Sequence, residues 1–413
     1  MPTLVDVEGF EHQVKSVNST ATMNPALWDG VNDLGSRLSF ITGRNGLGTA
    51  LRVDGDGTNS CRVTRNLTTA GTMLVASFYV RWVRTPTTTT LRIFLSSADI
   101  IALVGLNTSG QLVASYGSGT SIVTGTGPTI TDGAWYLVDC RINTSPATHT
   151  IEWSVNGVAQ TTGSAGGVAA SNQTLWSAGS NITTSDGAVD IDDLVVSVTS
   201  GDYPMGGHAV FAVLPNDDNA ASVYGTNTME QGNGTDLSSS NKGYQYIDEW
   251  PPTTGTNNAD SITQATSSAT SFVDVEFQDA PAWVTSALWG VTAVVAHQSD
   301  ATGANSGISR IVNSSGTTLT DIYSGDMSET SAHYTRRLIT APAGGWLIDS
   351  THFNGVRGRV GFGTLQPGDP EWLALMLQCA TPDQPKAMPI PRRDRLHLPM
   401  RDFDPWSLTG WVA

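Results

Sequence analysis

Apolar and polar residues alternate with the period of strands from Thr49 to about Tyr203. Ala50-Leu-Arg-Val starts the pattern. Leu74-Val-Ala-Ser-Phe-Tyr-Val-Arg-Trp-Val extends it, with Ala76, Phe78, Val80 and Trp82 on the predicted core face and Val75, Ser77, Tyr79 and Arg81 on the other. Pro86 and the threonines 87–90 break the run, and Leu91-Arg-Ile-Phe-Leu resumes it. Asn107-Thr-Ser-Gly predicts a hairpin between Ile101–Leu106 and Gln111–Tyr116. Trp135-Tyr-Leu-Val-Asp-Cys-Arg-Ile and Thr150-Ile-Glu-Trp-Ser-Val follow, the second ending on the strong turn pair Asn156-Gly157. Val189-Asp-Ile-Asp-Asp-Leu-Val-Val is a last strand before Gly201-Asp-Tyr-Pro. Strands at this spacing predict a sandwich.

The pattern restarts near Gly207. His208-Ala-Val-Phe-Ala-Val-Leu-Pro is a predicted strand stopped by Pro215, and Asn216 to Tyr246 is polar and predicted to be largely loop. Tyr246-Ile-Asp-Glu-Trp-Pro-Pro forms a compact apolar turn. Ser271-Phe-Val-Asp-Val-Glu-Phe alternates, with Val273, Val275 and Phe277 on one side. Ala287 to His297, Gly307 to Val312, Arg336 to Thr340 and Leu373 to Gln378 complete a second antiparallel set. No segment sustains a long helical period, and short helical turns are expected only near Thr351 to Val356. After Thr381 prolines exclude a sheet interior. Pro385-Lys-Ala-Met-Pro-Ile-Pro-Arg-Arg-Asp-Arg, ending in Phe403-Asp-Pro-Trp and Trp411, reads as an extended arm with aromatic anchors. The expected fold is therefore all-β, with two β-sandwich domains in series at 1–205 and 206–380 and an extended arm at 381–413.

Composition supports folded β structure. Charged residues are 14% of the chain, but 12 Trp and abundant Val, Ile and Thr separate it from disordered sequences. The net charge of −16 offers no basic footprint for nucleic acid and no electrostatic attraction to anionic membranes. No stretch approaches the ~18 apolar residues that span a bilayer, so no membrane insertion is expected. Met1-Pro-Thr-Leu-Val-Asp has no basic region followed by an apolar run, so no signal peptide is expected. Cys61, Cys140 and Cys379 match no zinc spacing and are too few for a disulfide scaffold; three buried thiols are expected.

Three pieces of the first half resemble the concanavalin A-like, laminin-G-like jelly-roll family. Gly48-Thr-Ala-Leu-Arg-Val-Asp-Gly looks like its early edge strand. Asp132-Gly-Ala-Trp-Tyr-Leu-Val-Asp-Cys-Arg-Ile with Thr150 to Val158 looks like its central pair, and Val189 to Val196 like its closing strand. The junction resembles a module of virion and minor tail proteins of tailed bacteriophages. There a jelly roll is followed by a strand ending in Leu-Pro-Asn, a long polar loop, and a motif like Tyr246-Ile-Asp-Glu-Trp-Pro-Pro; Gly307-Ile-Ser-Arg and Pro370-Glu-Trp also match. The resemblance covers Met1 to about Asp383. It implies a virion structural protein made in the host cytoplasm, a minor tail protein acting in tail assembly or host attachment. Its implied partners are other virion proteins and copies of itself, and it implies no enzyme. The rival reading is a carbohydrate-binding adhesin for a host surface glycan.

Candidate chemistry is sparse. Asp190, Asp192 and Asp193 are the main acidic constellation, and Asp190 and Asp192 share a strand face. Retaining glycosidases need two carboxyl groups roughly 5 Å apart, but the glutamates of the jelly-roll glycosidase motif are absent, so a structural role is expected. Asp54-Gly-Asp-Gly-Thr-Asn offers oxygen ligands for calcium but lacks the spaced glutamate of an EF-hand, and Asp-Gly pairs commonly make turns. No cofactor is otherwise expected. The seven histidines, His12, His149, His208, His297, His333, His352 and His397, show no HxH or HxxxH spacing. There is no Gly-x-Ser-x-Gly elbow and no phosphate loop. Trp28, Tyr116 and Trp176 could stack on sugars, but plugging the sandwich ends is the expected role. Candidate interaction residues are Arg392, Arg393, Phe403, Trp406 and Trp411 in the arm.

Overall fold

The computed structural model describes residues 2–10, 28–33, 37–46, 48–58, 60–96, 102–116, 123–131, 133–145, 148–166, 172–180, 186–224, 229–231, 235–238, 240, 242–248, 250, 261–264, 271–299, 306–327, 332–362 and 370–385. The fold is all-β. Among the described residues, helical structure is limited to 3-10 turns at Arg44–Gly46, Ser200–Asp202, Gly243–Tyr246 and Phe353–Gly355. The last of these lies inside the region where the sequence predicts a helical turn.

Among the described residues, strands between Leu4 and Ser197 pair only with one another, in two sheets. One runs Val158–Ala159, Thr148–Val155, Trp135–Asn143, Met73–Arg84, Ala188–Ser197, Thr49–Asp54, Leu38–Thr42, with Gly163–Gly166 added to Thr148–Val155 and Leu4–Glu8 to Ala188–Ser197. The other runs Val123–Thr129, Gln111–Tyr116, Ala102–Leu106, Leu91–Ser96, Gln173–Ser180, Cys61–Gly71, Gly30–Asp33. Between them lies a core that includes Ala76, Phe78 and Val80, with Trp82 packed against it, the face the alternation predicts. Strands between Ala209 and Thr381 form two more sheets. The third sheet runs Met229–Gln231, Ile262–Gln264, Pro370–Thr381, Gly290–Ser299, His333–Leu338, with Ala209–Val213 also on Pro370–Thr381. The fourth runs Pro215–Asp218, Phe272–Phe277, Arg357–Phe362, Ser306–Val312, Thr318–Asp326. Val273, Val275 and Phe277 again face their core, as read from the sequence.

Four local expectations change. Pro215 opens a strand rather than stopping one: Ala209–Val213 belongs to the third sheet, and the chain crosses at Leu214 to begin the fourth. Proline fits there because the first residue of a strand tolerates a missing N–H. Thr49–Asp54 is not an edge strand, since Leu38–Thr42 pairs outside it. Three short strands, Leu4–Glu8, Gly30–Asp33 and Leu38–Thr42, precede the region where alternation becomes legible. Val123–Thr129 is a strand despite Gly125, Gly127 and Pro128.

The two halves pack tightly. Every position of Ala188–Ser197, Gly290–Ser299 and Pro370–Thr381 is buried. A sandwich strand with one wet face exposes alternate residues, so these strands are covered on both sides. Leu4, Val7 and Val195 meet Val210 and Ala380 in a small core between the halves, and Val294 and Met376 of the second half join the first core.

Candidate functional site: the joint and cleft between the sandwiches

The three aspartates of strand Ala188–Ser197 lie at this joint, each held by protein groups. Asp190 is fully buried and accepts from Arg52 (Nε 2.7 Å, Nη2 3.1 Å) and Arg81 (Nε 2.9 Å). Asp192 accepts the backbone N–H of Arg44 at 2.6 Å and that of Asp193 at 2.8 Å. A bulge between Asp192 and Val195, with Asp193 at φ 50°, turns the third carboxylate toward the second half. There Asp193 pairs with Arg44 (Nη2 2.7 Å) and accepts the Val210 N–H at 2.7 Å. The Arg44 guanidinium stacks 3.7 Å over the Tyr79 ring and donates to the His208 carbonyl at 2.8 Å. The His208 ring in turn bonds the Asp193 carbonyl oxygen. Asp190 and Asp192 are held within the first half, and Asp193 with Arg44 fastens the outer face of its sheet to the chain that enters the second half.

A second ionic group sits where Leu4–Glu8 meets His333–Leu338. Asp6 pairs with Arg336 and accepts the Trp176 indole N–H at 2.9 Å. Burial would raise the Asp6 carboxyl, but the charges of Arg336 and Arg65 outweigh it and hold it below the ordinary value. Burial dominates for Glu8 and raises its carboxyl despite the same two arginines. Glu8 accepts the Phe10 N–H at 2.7 Å and lies 3.4 Å from Arg65 and 3.7 Å from Arg336. Arg65 rests 4.3 Å over the Trp28 ring; burial and repulsion from Arg336 lower it to about 10. Sequence reading did not single out these residues. The only signal is Leu4-Val-Asp-Val-Glu, which places two acids at alternate strand positions.

Beside this group opens a cleft of about 740 Å³. Val5, Asp6, Trp28 and Arg65 line it from the first half, and Thr320, Tyr334, Arg336 and Arg337 from the second. Trp28, one of the sugar-stacking candidates, is buried with its ring against Phe10, Trp176 and Arg65. Trp176 is fully buried, and the side chain of Tyr116 lies outside the described residues.

The remaining candidates are dispersed. In the acidic loop, Asp54 pairs with Arg84 at 2.6 Å and Asp56 with Arg37 at 3.2 Å. Among the described residues no group of three His, Cys, Asp or Glu side chains could hold a metal ion. Cross-strand pairing brings together His297 and His333, ring centroids 5.0 Å apart, which local spacing could not reveal. His12 and His397 lie outside the described residues, as do Arg392, Arg393, Phe403, Trp406 and Trp411. The three cysteines are buried free thiols.

No family model and no curated protein matches the chain. Solved structures similar to it include the alginate lyase A1-II′, at 15% identity over 39% of this chain and 83% of that one, TM-score 0.29. An alginate lyase from Pseudomonas aeruginosa matches at 13% identity over 39% and 86%, TM-score 0.28. A sialidase of Trypanosoma rangeli matches at 12% identity over 36% of this chain and only 25% of its own length, TM-score 0.28. The expectation that the chain is no enzyme is corrected by this finding, because these proteins are enzymes. What is shared is a sheet-rich jelly-roll fold, and likeness at this level assigns no activity to this chain.

Proposed function

We propose that the chain is a structural protein of a bacteriophage virion, a minor tail protein that contributes to tail assembly or host attachment through protein–protein contacts. The observation that carries this reading is how the three-part junction motif is joined. Leu214-Pro-Asn is the crossover between the third and fourth sheets. Directly after it, Asp217 pairs with Lys242, and Asp218 accepts the backbone N–H groups of Gly243 and Tyr244 at 2.7 Å each and the Tyr224 hydroxyl. The following turn is anchored by the Leu375 N–H, which donates to the Ile247 carbonyl at 3.0 Å. Segments 25 residues apart thus close on one carboxylate, and the polar stretch between them is held at both ends. That stretch also adds the strand Met229–Gln231 to the third sheet, and its connections, carried on this rigid scaffold, suit contacts with neighbouring subunits. Mass spectrometry and cryo-electron microscopy of purified particles test the reading. The chain is expected in the tail at fixed stoichiometry; particles that lack it overturn the assignment.

A further inference from the structure

We propose that the cross-strand pair His297–His333 is an acid-operated latch: a proton on the buried His297 ring releases the strand His333–Leu338 from Gly290–Ser299 and, with it, the Arg336 link to the first half. The inference is independent of the virion reading, because an exchange measurement on the isolated chain and a particle location fail separately.

Among the described residues His333–Leu338 is the end strand of the third sheet, and its strand partner is Gly290–Ser299. The first pair between them is His333 with His297. His333 is exposed, whereas His297 is fully buried and neither of its ring nitrogens has a hydrogen-bond partner among the described residues. The elements packed against His297 offer a proton nothing. Thr318–Asp326 brings the Tyr323 ring to 4.3 Å, and the Tyr323 hydroxyl already donates to the Asp326 carbonyl. Pro370–Thr381 brings the Trp372 ring to 5.6 Å, and the next residue, Glu371, accepts from the Gln298 amide at 2.7 Å. His333–Leu338 brings the His333 ring to 5.0 Å, with Arg337 further along the same strand face, so both are basic. An imidazolium at His297 would lack an acceptor and would sit beside a like charge, which strongly favours the neutral ring. Burial, and then His333, accordingly hold its pKa at about 3 against an ordinary 6.5. The closed strand excludes the proton and the open strand admits it. Acid therefore favours opening, with no effect above pH 6.5 and a growing one as pH falls toward 3.

Opening at His333 reaches the joint within this one short strand. Arg336 bonds Asp6 of the first half and the Gln378 side chain at 3.3 Å, and Leu338 packs against the small core between the halves. Local opening proceeds in contiguous cooperative units, and the unit that begins at the histidine pair contains the link.

Hydrogen exchange of the full chain, read by mass spectrometry at pH 7.5 and pH 5 and corrected for the intrinsic pH dependence of exchange, tests this. Opening of His333–Leu338 is expected to rise about tenfold or more at pH 5, with Trp135–Asn143 in the first half unchanged. His297→Phe, which keeps an apolar ring in the site, is expected to abolish the rise, while His333→Gln keeps most of it. No rise, or a rise that persists in His297→Phe, overturns the latch. Leu4–Glu8, which carries Asp6, is expected to open with the same pH profile. Burial also raises the Glu8 carboxyl, so the response of Leu4–Glu8 supports the link only if it too vanishes in His297→Phe; a response that persists there overturns the link to the joint. If His297→Phe does not fold, the imidazole resonances of the native chain decide the matter. A neutral His297 ring in the closed chain at pH 5 supports the latch, and a ring protonated at that pH without opening overturns it.

Discussion

At the scale of single residues, several buried carboxylates are neutralised by arginines from neighbouring strands. Asp190 is fully buried between two guanidinium groups that are each about one-third exposed. Asp190→Ala removes the acceptor and leaves Arg52 and Arg81 to repel each other. Breaking a buried pair costs about 3–5 kcal/mol, and because both arginines can still reach water a loss of about 2–4 kcal/mol is expected in urea unfolding. A loss below about 0.5 kcal/mol would show that the pairing is dispensable. His297 offers a pH-dependent counterpart. It is fully buried among Tyr323, His333 and Trp372, and neither ring nitrogen has a hydrogen-bond partner among the described residues. Burial, and then the charge of His333, lower its pKa to about 3. Below its ordinary value of 6.5 the unfolded chain takes up a proton that the folded chain refuses. Its stabilising contribution is therefore complete above pH 6.5 and is lost as pH falls toward 3, by about 1.4 kcal/mol per pH unit. His297→Phe should remove that part of the slope in a pH series of unfolding midpoints; an unchanged slope would place the titration elsewhere. The acidic triad was legible as alternate strand positions, but its arginine partners were not. Arg52 and Arg81 lie 138 and 109 residues from Asp190, and a single chain carries no local mark of such pairings.

At the scale of elements, legibility followed the strength of alternation. Met73–Arg84 and Trp135–Asn143 announce themselves, and so does the Asn156-Gly157 hairpin, whose two residues both take positive φ. Val123–Thr129 was hidden because Gly125, Gly127 and Pro128 are loop-like in composition. The glycines have a packing reason: this edge strand crosses directly over Trp153, a large buried side chain of the first core. A Cβ at Gly127 would lie 2.4 Å from the Trp153 ring, and one at Gly125 would lie 2.2 Å from the Thr161 carbonyl oxygen. That carbonyl accepts the Trp153 indole N–H at 2.9 Å, so the ring has no easy retreat. Gly127→Ala should therefore destabilise the chain by about 1–3 kcal/mol, as overpacking does, although alanine ordinarily suits a strand better than glycine. A neutral or stabilising result in thermal melts would show that Trp153 can shift. The Pro215 crossover was misread for a related reason: proline ends a local pattern equally well by stopping a strand or by opening the next.

At the scale of the whole molecule, the sequence suggested two units in series, 1–205 and 206–380. Strand pairing does divide between Ser197 and Ala209. The junction itself, however, is dense. His208 is fully buried, Met205 packs against the small core between the halves, and the Gln384 side chain donates to the Tyr79 hydroxyl at 2.5 Å. Asp6 and its partner Arg336 stand 330 residues apart. None of this was legible, because contacts between faces leave no periodic signal beyond an absence of exposed positions along a strand. The consequence concerns a fragment ending at Tyr203. It keeps both of its own sheets but exposes Leu4, Val7 and Val195 and strips Asp6 of Arg336. Burial of an aliphatic side chain is worth about 1.5–3 kcal/mol, so three of them amount to several kcal/mol. With about 2–4 °C per kcal/mol for a unit of this size, the fragment is expected to show a β-sheet circular dichroism spectrum. Its melting should come on the order of 10 °C or more below the full chain. Arg336→Ala in the full chain should move melting part of the way in the same direction. If instead the fragment melts with the full chain, the buried joint contributes nothing to stability and the halves are thermodynamically independent. If it does not fold at all, the first sandwich is built on the second.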